Sequence, residues 1–121
     1  MLSLLLTRRN LEGLDVGRRI PTDVFAGQSF DVTIDLANSR LRTTAMAILI
    51  EDRRVGIDGA VHFSVSFAAT PPGATRHASY SDSVPSRGRY TLGPAIARSS
   101  FPLGIVERSA VVAPPEDLVV F

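Results

Sequence analysis

The chain has 121 residues, of which 45% are apolar, and its formal net charge is +1. This length suits one domain, residues 1–121, with a real hydrophobic core, and the composition excludes a disordered chain and a membrane bundle. The near-neutral charge argues against a dedicated nucleic-acid binder, and the lack of cysteine excludes disulfides, thiolate nucleophiles and cysteine metal sites.

In the first ten residues, the charged side chains come after the apolar ones. The leucine run 4–6 is too short to cross a bilayer, and Arg8 and Arg9 follow it, whereas the charges of a signal peptide come first. This order is typical of the cytoplasmic end of a membrane helix, and Arg8 and Arg9 would then be membrane-proximal, near lipid phosphates. The alternative for residues 1–10 is a frayed N-terminal strand or simply the edge of a fragment.

Hydrophobicity alternates with a period of two along nearly the whole chain, as in half-buried β-strands. In residues 30–36, for example, Phe30, Val32 and Ile34 alternate with polar neighbours. The pattern predicts strands over residues 14–20, 30–36, 46–50, 61–67, 78–84, 90–92, 103–112 and 118–121. No stretch of ten residues has a convincing helical period.

Turn residues separate these segments. Asp58-Gly59 predicts a type I′ hairpin turn, and Pro71-Pro72-Gly73 suits a type II turn with Gly73 at the position that needs a positive φ. Gly93-Pro94 interrupts a strand ladder because proline has no N–H to donate. Seven or eight short strands at this spacing predict an all-β fold, an antiparallel immunoglobulin-like β-sandwich.

Two groups of polar residues could in principle bind a metal. Asp31 and Asp35 share one face of a strand, but a solvated face is favoured because calcium gathers about six to eight oxygens, often from loops. His62 and His77 alternate with apolar neighbours, so both should face outward, and no carboxylate is spaced suggestively near them. We therefore predict no metal and no cofactor.

The sequence gives no catalytic signature. It lacks the Gly-x-Ser-x-Gly elbow of the α/β-hydrolases and has no phosphate loop. A Ser–His–Asp triad assembles in space in any sequence order and stays an alternative, but the prediction is that the domain is not an enzyme.

Residues 86–108 contain the most regular arrangement of glycine, proline and apolar residues, and this arrangement predicts a strand–turn–strand corner. Tyr90 and Leu92 are expected in the core, Gly93-Pro94 ends a strand, and Ile96 re-enters the core. Arg87 and Arg89 are two residues apart and should share one face, so with Tyr90 they form a candidate contact patch for an anion or an acidic partner. The alternative is an ordinary exposed polar face, because single surface charges contribute little.

The same stretch resembles a bacterial family, the domain of unknown function 58 family. The resemblance rests on "RGRYTLGP", "FPLGIVER" and "EDLVVF", which occur in the family's order. The matching residues of the first motif are Arg87, Gly88, Arg89, Tyr90, Leu92, Gly93 and Pro94. Ser86 and Phe101 depart from the family pattern, which has arginine and aspartate at these places.

The resemblance implies a context that composition and periodicity do not show. Such proteins begin with a membrane helix pair, continue through a β-sandwich and end in a von Willebrand factor A-like domain, and their genes often neighbour those of MoxR-type AAA+ ATPases. This chain would then be the sandwich, N-terminal to the A-like part, at the cytoplasmic face of the bacterial membrane.

The resemblance implies no catalytic residue. It favours a non-enzymatic protein–protein interaction or scaffold module whose partners are the ATPase or other domains of the same chain. The alternative is a sandwich that binds a small ligand or a carbohydrate, which would need an exposed aromatic platform. The chain has no tryptophan, and its eight aromatic residues mostly fall at positions that the alternation places in the core.

Overall fold

The computed structural model describes residues 13–57, 59–99 and 108–121. Arg8, Arg9 and Phe101 lie outside the described residues, so the membrane-proximal interpretation of the N-terminus stays a prediction. Within the described ranges, no helix is long and apolar enough to cross a membrane.

The described residues fold into nine strands joined by short turns. The strands are β1 Leu14–Arg19, β2 Ser29–Asn38, β3 Ala45–Gly56, β4 Gly59–Thr70, β5 Thr75–Ser83, β6 Gly88–Leu92, β7 Ala95–Ser99, β8 Arg108–Ala113 and β9 Glu116–Val120. All strand pairings are antiparallel. The predicted all-β, immunoglobulin-like β-sandwich is therefore confirmed.

The strands form two sheets. The smaller sheet has the order β1-β2-β5. In the larger sheet β3 is central: β4 pairs with one of its edges, while β7 and β6 pair with successive parts of the other edge. β8 extends the sheet beyond β7, and β9 extends it beyond β6.

The core lies between the two sheets and is built from alternate residues of each strand. From β2 it takes Phe30, Val32, Ile34 and Leu36, all buried, while the residues between them face outward. The larger sheet contributes Ile48, Ile50, Val65, Phe67, Leu92, Ala95, Ala97 and Leu118. Burial of each large apolar side chain contributes about 1.5–3 kcal/mol to folding, so this alternation is the main source of stability.

Strand β7 corrects one prediction. Ile96 was expected to re-enter the core, but Ala95 and Ala97 are the buried residues and Ile96 is only partly buried. The pairing of β7 with β8 shifts register between Ala95 and Ile96. Alanines are only weakly hydrophobic, so the sequence pattern does not predict this strand.

The turns largely follow their residue chemistry. The Ala74 N–H donates to the Pro71 carbonyl over 3.0 Å, and Gly73 has φ +77°, which together confirm the predicted type II turn. The β3–β4 hairpin exists, but Gly59 pairs with Gly56 and begins β4 instead of lying inside the turn. The prediction for Gly59 is therefore wrong, because β4 begins before its large apolar residues, and Asp58 lies outside the described residues.

A buried polar network joins the sheets. The Arg18 guanidinium of β1 donates two hydrogen bonds of 2.9 Å to Asp52 of β3, and the Tyr80 hydroxyl of β5 donates to the same carboxylate over 2.7 Å. Burial lowers the pKa of Arg18, but Asp52 and Glu116 together outweigh it and the net pKa is raised. Burial and the bond to Asp52 raise the pKa of Tyr80. The network therefore holds a charged pair and a neutral phenol between the sheets.

Candidate functional site

A groove of about 390 Å³ opens at one end of the sandwich. One wall is the β3–β4 hairpin with the first residues of β4, and the other wall is residues 85–90, the link from β5 into β6. Arg54 and Gly56 of β3 also line it. The groove brings together the predicted contact patch, Arg87, Arg89 and Tyr90, and its volume lies in the range of about 300–1,000 Å³ that is usual for ligand sites.

Tyr90 forms a fixed wall of this groove. Its ring packs over Gly56, where an added Cβ would come within 2.7 Å of two ring carbons. The phenol donates a hydrogen bond of 2.8 Å to the Ser86 carbonyl, and the Arg54 guanidinium carbon lies 5.5 Å from the ring centroid. Tyr90 is only partly buried and packs against the core from the groove side, so the expectation of a core position holds in part.

Arg54 and Asp82 support the groove from within. Arg54 donates two hydrogen bonds, of 2.6 and 3.2 Å, to the Asp82 carboxylate, and the two side chains are only 11% and 5% exposed. Because this pair is bidentate and nearly dry, the charge of Arg54 is already balanced. We infer that Arg54 holds the Tyr90 ring through its cation–π contact rather than recognising a ligand directly.

Arg87 and Arg89 supply the accessible positive charge. Both are exposed, and among the described residues neither has a carboxylate partner. Arg87 precedes β6, which begins at Gly88 with φ +148°, so the two arginines do not share one regular strand face as predicted. They nevertheless line the same groove with Tyr90.

Sequence reasoning missed the supporting residues Arg54, Gly56 and Asp82, although a signal was present. Ile48 and Ile50 face the core, and the same period of two continues through Asp52 and Arg54. Charged residues in a buried phase indicate a paired interior site, because an unpaired charge there is costly.

The polar face of the smaller sheet is held by hydrogen bonds. Arg19 donates to both oxygens of Asp35 over 2.8 and 2.9 Å, His77 contacts Asp35 through Nδ1, and Ser81 donates to Asp31 over 2.6 Å. The hydrogen bonds from Arg19 lower the pKa of Asp35. The two aspartates are thus separate hydrogen-bonded sites on an outward face.

The remaining candidates for metal or catalytic chemistry stay apart. His62 lies exposed on β4 and His77 exposed on β5, in different sheets. Within the described part of the chain, no group of three or more histidine, aspartate and glutamate side chains could hold a metal ion. Ser79, two residues from His77, shares a hydrogen bond of 2.9 Å with Thr33.

A pair of exposed aromatic rings lies elsewhere, where residues 24–26 meet the end of β9. Phe25 and Phe121 are 48% and 55% exposed, and their ring centroids are 6.2 Å apart. Backbone hydrogen bonds from Ala26 to Phe121 and from Phe121 to Val24 fix this contact. The expectation that most aromatic residues are in the core does not hold for these two.

No family model and no curated protein matches this chain. Solved structures do match it. The CARDB domain of a Pyrococcus furiosus protein, determined by NMR, has a TM-score of 0.57 at 12% identity, covering 89% of this chain and 94% of that domain. The crystal structure of that domain, in complex with di-metal ions, has a TM-score of 0.57 at 15% identity, covering 89% and 87%.

The alkylpurine DNA glycosylase AlkC of Pseudomonas fluorescens, bound to DNA containing an abasic site analog, has a TM-score of 0.58 at 10% identity. That match covers 90% of this chain but 30% of the glycosylase. The shared property is the fold. At these identities the similarity shows a β-sandwich module and carries no ligand or activity to this chain.

Proposed function

We propose that this chain is a non-enzymatic protein–protein interaction module that binds an acidic segment of its partner in the groove at Tyr90. In this proposal the module belongs to a membrane-anchored bacterial protein and lies on the cytoplasmic side of the membrane. Its partner is a MoxR-type AAA+ ATPase or another domain of the same chain, as the sequence resemblance implies.

The observation that carries the proposal is that two accessible arginines, Arg87 and Arg89, line the same groove as the fixed ring of Tyr90. Arg87 and Arg89 have no carboxylate partner among the described residues, so both can bind a carboxylate through charge-assisted hydrogen bonds. Tyr90 is held in place before binding, and tyrosine and arginine, with tryptophan, are enriched among the residues that contribute most to interface energies.

The apolar residues that line the groove indicate which kind of partner segment it can bind. Ile57 is fully exposed and Val61 is 42% exposed, both on the hairpin wall opposite the arginines. A segment that places an apolar side chain between this wall and Tyr90 while its acidic residue meets Arg87 or Arg89 satisfies both halves of the groove.

The test is a pulldown of a MoxR-type AAA+ ATPase by this chain. We expect the double variant Arg87→Gln/Arg89→Gln to lose most of the captured ATPase without a fall in melting temperature, because both side chains are exposed. The matched control is Arg42→Gln/Arg76→Gln, which removes the same charge from exposed positions outside the groove. Equal capture by the two double variants would contradict the proposal.

A small anionic ligand is a second candidate for the same groove, because its volume of about 390 Å³ could enclose one. An NMR titration with succinate separates the two candidates. Saturable shifts confined to groove residues, lost in Arg87→Gln/Arg89→Gln, favour the small ligand. The exposed Phe25–Phe121 pair is the corresponding platform for a carbohydrate, and a titration with glucose or cellobiose would shift its ring signals instead.

A further inference from the structure

Strand β4 has one edge that no described strand covers, and its sequence suits pairing with another chain. It pairs with β3 over its whole length, and no other described residue pairs with its second edge. Its 12 residues, GAVHFSVSFAAT, contain no aspartate, glutamate, arginine or proline. Natural edge strands usually carry such residues, because an unprotected row of backbone N–H and C=O groups can pair with another chain.

The other outermost strands follow that usual protection. β1, β5, β8 and β9 border the two sheets, and each has at least one charged residue in its sequence, for example Asp15, Arg76, Arg108 and Glu116. β4 is also longer than any of these four strands. The missing protection therefore falls on the edge with the longest row of backbone groups.

We propose that β4 pairs antiparallel with β4 of a second copy of this chain, with Ser64 opposite Ser64 at a twofold axis. A second copy fits this edge because two identical uncharged strands bring no like charges together, and because a twofold axis makes one strand sufficient for both partners. The proposal rests on the edge of β4 and not on what the groove binds, although Val61 belongs to both surfaces.

The central register is specified by side-chain complementarity. With Ser64 at the axis, Phe63 lies opposite Val65 and Val61 lies opposite Phe67, so the core-side row of one copy continues into the core-side row of the other. On the outer face, His62 lies opposite Ser66. Aromatic and β-branched residues that face each other across strands stabilise a pair, and the exposed Val61 gains an apolar neighbour.

A shift by one residue breaks this arrangement. Phe63 would then lie opposite Ser64, and the core-side row of each copy would continue into the outer face of the other, because side chains alternate between faces with a period of two. Of the two shifts by two residues, which keep the faces, one shortens the paired length from 11 to 9 residues, and the other keeps 11 but places Val61 opposite Ala69 instead of Phe67. Ser64 opposite Ser64 is thus a specific structural claim that substitutions can test.

The test uses opposite charges at the axis. Sedimentation velocity over a concentration series should show a reversible dimer of the 121-residue chain. Ser64→Asp and Ser64→Arg should each weaken the dimer about tenfold or more, since like charges then lie directly opposite. An equimolar mixture of the two variants should restore a dimer at least as stable as the original, because each pair then joins opposite charges.

Two control variants keep the test specific. Ser64→Asn has nearly the size of the aspartate variant without its charge and should still dimerise, and Thr22→Asp adds the same charge at an exposed residue outside β4 and should also dimerise. A chain that stays monomeric at every concentration overturns the proposal. So does a dimer that both charged Ser64 variants leave intact, or a variant mixture that does not recover.

Discussion

Gly56 determines where the Tyr90 ring can lie. The ring occupies the space that a side chain on residue 56 would fill, with two ring carbons 2.7 Å from an added Cβ. Arg54 and the Ser86 carbonyl hold the ring on its other sides. The absence of a side chain at Gly56 therefore shapes the groove, and the amino-acid composition gives no sign of that role.

We expect Gly56→Ala to lower the free energy of unfolding by about 1–3 kcal/mol, the usual cost of overpacking a well-fitted contact. The added methyl group must displace the Tyr90 ring, so the ring signals in an NMR spectrum should shift as well. Gly17→Ala is the matched control, because nothing lies within 4 Å of its added Cβ. Equal melting temperatures for the two variants would show that the ring moves freely.

The alternation of buried and exposed residues along a strand marks buried charged residues as well as apolar ones. The alternation predicted the core positions of β2 correctly and those of β4 in part, because Val65 and Phe67 are buried but Val61 is 42% exposed. The same alternation along β3 leads from Ile48 to Asp52 and Arg54. The groove itself could not be predicted, because it depends on β6 pairing beside the end of β3. Local sequence does not encode which strands become neighbours.

The same alternation along β3 buries Asp52, which pairs with Arg18 of β1 and so connects the two sheets. The side chains are 0% and 1% exposed. Removal of Asp52 leaves the buried Arg18 with Glu116, whose side chain is 42% exposed, as its remaining carboxylate partner among the described residues. Loss of a buried partner typically costs up to about 3–5 kcal/mol, whereas replacement of both partners by apolar residues is often neutral. The two cases give opposite expectations for single and double variants.

We therefore expect Asp52→Leu to lower the free energy of unfolding by up to about 3–5 kcal/mol, since Glu116 still balances part of the Arg18 charge. The double variant Arg18→Met/Asp52→Leu should recover most of that loss. Urea denaturation of both variants and the parent chain measures the difference. Tyr80 would lose its acceptor in each variant, so its contribution cancels between them. A double variant no more stable than Asp52→Leu would refute the account.

For the whole molecule, the fold class followed from periodicity, while the partition of strands between sheets did not. That partition leaves the β1-β2-β5 sheet with a polar outer face. On that face the hydrogen bonds from Arg19 lower the pKa of Asp35 against the smaller opposing effect of burial, and His77 lowers it further. One surface cluster thus links global stability to pH.

The sign of that link follows from the direction of the shift. A carboxyl group with a lower pKa in the folded chain stabilises the fold at every pH above its unfolded value of about 3.9, and the contribution is lost as pH falls through the folded value. Between pH 5 and 2, the stability difference between the parent chain and Asp35→Asn should stay constant at first and then shrink below about pH 4.

Urea denaturation at a series of pH values measures this difference. Asp23→Asn is the control, because it removes an exposed carboxyl group that makes no hydrogen bond or ion pair within the described ranges. Subtraction of the Asp23→Asn curve removes the general effect of one fewer acidic residue. If the Asp35→Asn difference then stays flat down to pH 2, Arg19 does not favour the ionised Asp35 in the folded chain, and the acid sensitivity of the molecule must come from other carboxyl groups.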